Sequence, residues 1–228
     1  MPTYNTIMAV AVGAGLLGLV MLGRQLRRDP ADVSAEGYAV NFGILGVILF
    51  ATGLHMTLTW PLAAGGFPFD NIIFGETSLG FGVLLLGASF WLWKRGTAAL
   101  ASPEPLRALA KVAQPTAIFI TGLGLALVAI AVAGVKYQLF AAPPEEPISG
   151  EFASHPLVEA TFMSGLIGLV GLGAISLAAA ITAILRSPST AHRWTAITGW
   201  LWAITGTLLL LFGAMNFFTH IGLIMNTM

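Results

Sequence analysis

The sequence predicts an all-α fold, a polytopic transmembrane bundle of about six helices. Three observations carry that expectation. Of 228 residues, 57% are hydrophobic and only 9% are charged. A soluble domain usually carries about 25% charged residues, and a chain with so few has no means to cover a water-facing surface. Mean hydropathy is +0.86. Finally, apolar runs close to the roughly 20 residues that a helix needs to cross ~30 Å of hydrocarbon recur six times, with the charges gathered between them.

The first run, 5–23, lacks a basic start, and its basic cluster (Arg24, Arg27, Arg28) follows the apolar stretch. That order is not the layout of a cleavable signal peptide. It suits a first helix with its N-terminus outside. The second run, 38–60, ends in "GLHMTLTWPL" (53–62), where Trp60 and Pro61 mark a helix end. The third, 72–93, opens with "GETSLGFG" (75–82) and closes on Trp91 and Trp93. Indole rings favour the membrane interface, and prolines are kept out of helix interiors. The fourth run covers 113–138. The fifth, 157–186, contains "GLIGLVGLG" (165–173), whose glycines recur every three residues along one helix face. Small faces let helices approach closely where lipid supplies no hydrophobic drive, so this is read as a packing seam. The sixth, 195–222, is preceded by Trp194 and carries "NFFTH" (216–220). All six form one transmembrane domain over 1–228.

Charge orients the bundle. Nine of the ten basic residues lie in the connections 24–37, 94–112 and 186–193; Lys136 is the tenth. The other two connections hold Asp70, Glu145, Glu146 and Glu151. The positive-inside rule then makes the basic connections cytoplasmic and puts both termini outside a cell membrane. A formal net charge of zero gives no indication of nucleic acid. With no cysteine, disulfides, Fe–S clusters and thiolate metal sites are excluded. A weak parallel repeat of helical hairpins is also expected. Aligning Glu76 with Glu159 brings Ser78 to Thr161 and Gly82 to Gly165.

This topology places polar residues in one layer near the outer surface. His55 lies ~25 Å along the second helix at 1.5 Å per residue. Glu76 and Glu159 occupy the first turns of two inward-running helices. Asn216 and His220, four residues apart, share a face of the sixth helix, and His155 and Asp70 lie just above. His192, on the cytoplasmic side, is expected to be solvated.

Ionisable groups inside a membrane are costly, and by default such groups are partnered and functional. Imidazoles and carboxylates projecting inward from several helices resemble in kind the ligand sets of bundle metal sites. His55, Glu76, Glu159 and His220 are therefore candidate ligands of a transition metal (Fe, Cu, Zn or Mn). His55 and His220 are alternatively axial ligands of a b-type haem, since the absence of CxxCH excludes covalent attachment. Each has a plainer explanation. The helix dipole alone favours a glutamate in a first turn, a lone intramembrane histidine is often a satisfied packing residue, and His155 and Asp70 are simple loop or cap residues. Methionines near this layer (Met56, Met163, Met215) would also suit copper, although methionine is a common gap-filler. Walker, HExxH and GxSxG sequences are absent, so any chemistry lies in the bundle or its outer loops.

On "GLHMTLTWPL" and "FGETSLGFG", centred on His55, Trp60, Pro61, Asn71, Gly75 and Glu76, the chain resembles a family of small archaeal and bacterial membrane proteins known only as a domain of unknown function. The resemblance covers most of the chain and implies a membrane bundle without implying a reaction. Three functions fit these expectations. One is redox chemistry at a metal or haem, with Asn216 as a supporting donor. Another is a non-catalytic subunit binding other membrane proteins or a second copy of itself. The third is an ion or proton transporter using the same carboxylates.

Overall fold

The protein is described by a computed structural model covering residues 5–59 and 69–228. Trp60 and Pro61, expected at the outer end of the second span, lie outside the described residues. Seven helices account for most of the rest: α1 (Asn5–Arg28), α2 (Ala35–Leu58), α3 (Asn71–Leu100), α4 (Pro105–Ala113), α5 (Ala117–Tyr137), α6 (Pro156–Arg186) and α7 (Pro188–Thr227). Six of them, all but α4, are long and apolar enough to cross a membrane.

The helices run past the apolar stretches at the basic end. α1 continues through Arg24, Arg27 and Arg28, and α3 continues through Lys94 and Arg95 to Leu100. Arginine and lysine are good helix formers whose stems lie along apolar surface while their heads reach water, so a helix need not stop where hydrocarbon does. Part of the connection expected over 94–112 is therefore helical, and α4, begun by Pro105, occupies most of the remainder. α2 starts at a capped end, where the Gly37 N–H donates to Ser34 Oγ at 3.0 Å. That cap satisfies one of the backbone donors a helix N-terminus leaves unpaired.

Packing follows the order α3–α2–α1–α7–α6–α5, so α1 stands between α2 and α7. Two apolar cores result. Met8, Phe42, Leu49 and Leu85 join α1, α2 and α3. Leu16, Met163, Leu166, Trp202 and Leu209 join α1, α6 and α7. Glycine sets the spacing at these contacts. A Cβ at Gly13 would stand 2.5 Å from the Leu210 nitrogen of α7, and one at Gly82 would stand 2.6 Å from the Phe50 nitrogen of α2. In the "GLIGLVGLG" run, Gly168 and Gly171 face α5 and Gly173 faces Trp202, whereas Gly165 opens onto space. The expected seam is present but divided between two neighbours. Across α6 and α7, Ser176 Oγ and Thr198 Oγ1 are 2.8 Å apart and Trp202 Nε1 donates to the Val170 carbonyl at 3.2 Å.

Up-and-down connectivity collects the start of α1, the end of α7, Asp70 and the 138–155 loop at one end of the bundle. That end carries Asp70, Glu76, Glu145, Glu146, Glu151 and Glu159. The opposite end carries nine of the basic residues.

Candidate functional site

At the acidic end the 138–155 loop folds over α6 and α7. It leaves α5 through Gln138, whose φ of 53° turns the chain out of the helix. Its centre is "PPEEPISG", where three prolines restrict the backbone. The Glu146 N–H donates to the Pro143 carbonyl at 3.0 Å, and the Gly150 N–H to the Glu146 carbonyl at 2.8 Å. Between them Ile148 has φ 70° and ψ −64°, and the Ser149 N–H donates to the Pro147 carbonyl at 2.8 Å. This is a γ-turn of the rare, strained sense, built on a β-branched residue that normally avoids positive φ.

The strained turn orients a side chain on either side of it. Before it, Glu146 Oε1 lies 3.8 Å from His220 Nε2 on α7, with the two side chains 10% and 18% exposed. After it, buried Ser149 lies beside Glu159 on α6, close enough to act on its carboxylate. Glu159 also accepts the Ala142 N–H at 2.7 Å and lies within electrostatic reach of Glu146. Two further contacts clamp the loop to α7: Asn226 Nδ2 donates to the Glu145 carbonyl at 2.8 Å, and Pro147 lies over Gly222.

Asn216, Thr219 and His220 recur at helical spacing and share one face of α7. Asn216 and Thr219 are 7% and 0% exposed. Asn216 Oδ1, Thr219 Oγ1, His220 Nδ1 and, at the start of α1, Asn5 Oδ1 are buried without a hydrogen-bond partner among the described residues. Unsatisfied polar atoms at this density are unusual in an apolar bundle and call for a reason.

The residues expected from the sequence divide into two groups. His220 and Glu159 belong to the cluster, and both meet Glu146 or its loop. His55 and Glu76 occupy exposed positions on α2 and α3. Among the described residues no three His, Asp or Glu side chains stand together as a metal-holding group. The set His55, Glu76, Glu159 and His220 is thus not gathered at one centre. For the haem alternative, α1 separates the helices bearing His55 and His220. His155 takes the N-cap position of α6 without a side-chain cap bond, its Nδ1 2.8 Å from Ser154 Oγ. Asp70 immediately precedes α3, and burial pushes its carboxyl up to about 6. His192 is exposed at the basic end.

Asn71 is 2% exposed, and its Nδ2 donates to the Met56 carbonyl in the last turn of α2. A Cβ on Gly75 would meet Met56 Cβ at 2.8 Å. Both residues therefore interlock α2 with α3. Glu146 and Ser149 were missed by sequence reasoning because they lie in a loop, beyond any helical periodicity, and Asn226 because nothing in its own helix marks a contact with that loop. The one signal available was the proline-bracketed acidic pair.

The family model described as "Protein of unknown function (DUF981)" matches residues 1–222, and the chain belongs to that family. No curated protein and no solved structure matches the chain.

Proposed function

We propose that this member of the DUF981 family is a cell-membrane protein that transfers protons, through a His/Glu site at the outer end of its bundle. The observation that carries this reading is the sheltered Glu146–His220 pair, with Glu159 in electrostatic reach. Histidine exchanges its proton near physiological pH, and intramembrane His and carboxylate chains are the usual elements of proton relays. Glu146 balances the imidazolium when His220 is charged, and Glu159 offers a second acceptor. The unsatisfied atoms of Asn216 and Thr219 supply donors and acceptors for a hydrated route along α7. By the positive-inside rule the basic end faces the cytoplasm, so the site and both termini face outward.

Proteoliposomes containing a pH-sensitive dye test this directly. The wild-type chain is expected to dissipate an imposed pH gradient, and Glu146→Gln or His220→Gln to slow it about 100-fold, the scale of one acid–base group. No flux from the wild-type chain, or flux from both variants equal to that of wild type, overturns the reading. Redox chemistry on a transition metal or b-type haem draws less support, because the exposed His55 and Glu76 are separated from His220 by the packing order.

A second reading, a membrane subunit, is favoured by α5. Only 11% of its most apolar stretch is buried, and Ile118, Leu125 and Val132 are exposed along it. Purification in mild detergent would then yield a complex, and a solitary monomer would count against it.

A further inference from the structure

A large recess of the molecule lies far from the acidic cluster. It is an open groove of about 730 Å³ near the basic end, where α5, α6 and the start of α7 meet. Its walls are small and apolar: Ala117 and Ile118 on α5, and Ile175, Ala178 and Ala179 on α6. Two threonines also line it, but Thr121 Oγ1 donates to the Ala117 carbonyl at 2.8 Å and Thr182 Oγ1 to the Ala178 carbonyl at 3.1 Å. Their hydroxyls are thereby turned to their own helices. From Ile175 to Arg186 the groove follows about 16 Å of α6 at 1.5 Å per residue, close to one leaflet of a hydrocarbon layer ~30 Å thick.

The mouth of the groove has the opposite character. Arg186, the last residue of α6, and Trp194, near the start of α7, both line it. Among the described lining residues none is acidic. An arginine and an indole at the interface, above an apolar channel one leaflet deep, match the parts of a phospholipid in order: phosphate, glycerol backbone, acyl chain. Basic recesses between transmembrane helices are known to take anionic headgroups.

We infer that this groove binds one anionic glycerophospholipid of the adjoining leaflet, its phosphate on Arg186 and one acyl chain along α6 as far as Ile175. The inference is independent of the proton-transfer reading, since no residue is shared between the two sites.

The full-length chain, reconstituted in bilayers of equal parts phosphatidylglycerol and phosphatidylcholine, is extracted in mild detergent, and its retained lipid is identified by native mass spectrometry. The wild-type chain is expected to retain phosphatidylglycerol over phosphatidylcholine by about fivefold, the scale of one basic residue at an anionic surface. Arg186→Gln should abolish the preference while leaving some lipid bound, and Arg186→Lys should keep part of it. Ala179→Leu, which fills the channel and leaves the arginine in place, should lower retention of both lipids. Arg193→Gln, outside the groove lining, should behave as wild type. Absence of preference in the wild-type chain overturns the inference. So does an unchanged preference in Arg186→Gln, or a loss in Arg193→Gln equal to that in Arg186→Gln, which would indicate diffuse surface charge. Should the arginine variants not fold, unchanged retention in Ala179→Leu overturns it by itself.

Discussion

Ile148 stands in a backbone region that β-branched side chains rarely occupy, and such conformations cost on the order of 1–3 kcal/mol each. Glycine adopts positive φ without that penalty but loses more chain entropy on folding. Ile148→Gly is accordingly expected to raise stability by about 1 kcal/mol, read as a higher unfolding temperature in detergent; a fall would argue against the γ-turn. Asp70 provides a pH test at the same scale. Burial raises its carboxyl from 3.8 to about 6, so the folded chain binds this proton more tightly than the unfolded one. The associated stability is complete below about 4 and is lost as pH rises through about 6. Asp70→Asn, which stays neutral, should match wild type near pH 4 and become relatively more stable by pH 7. Parallel unfolding curves across that range would overturn this assignment. The two residues differ in how far they could be read from sequence. Asp70 was visible as an acid at a helix start, but the strain at Ile148 depends on a turn closed between Pro147 and Ser149.

Among elements, glycine decides which helices touch. Gly13 on α1 meets the α7 backbone, whereas Gly87 on α3 has nothing within 4 Å of the position its Cβ would take. Gly13→Ala should therefore destabilise by about 1–3 kcal/mol through overpacking, and Gly87→Ala should be neutral or slightly stabilising. Thermal unfolding of the pair measures the difference, and equal effects would contradict the α1–α7 contact. Helix identity was legible because hydrophobic length reports it directly. Helix ends were less so, since α1 and α3 continue through basic residues whose side chains reach water from either setting. α4 was concealed for a related reason: nine residues are too few to register as a span, and the connection was judged by its charge.

For the whole molecule, the separation of charge has a consequence for orientation. Nine basic residues mark one end and the acidic loop the other, and both described chain ends lie with the acidic loop. Reporter domains fused after Thr227 are expected to behave as external: alkaline phosphatase active, green fluorescent protein dark. The reverse pattern would invert the bundle and turn the Glu146–His220 site toward the cytoplasm. Neutralising Arg24, Arg27 and Arg28 together should produce mixed orientation, because those charges carry much of the asymmetry around the first span.

Composition and run length by themselves determined the class of the protein, its six membrane-crossing helices and which connections are basic. These are local properties, set by what hydrocarbon tolerates over about 20 residues. They also singled out Glu159 and His220. Which partners those residues meet was decided only by the tertiary structure, since a shared depth says nothing about the direction in which each helix turns a side chain. Depth put His55 and Glu76 in the same layer as His220, yet the packing order α3–α2–α1–α7–α6–α5 leaves both exposed. It gives His220 instead to Glu146, a loop residue held in place by three prolines and a strained turn.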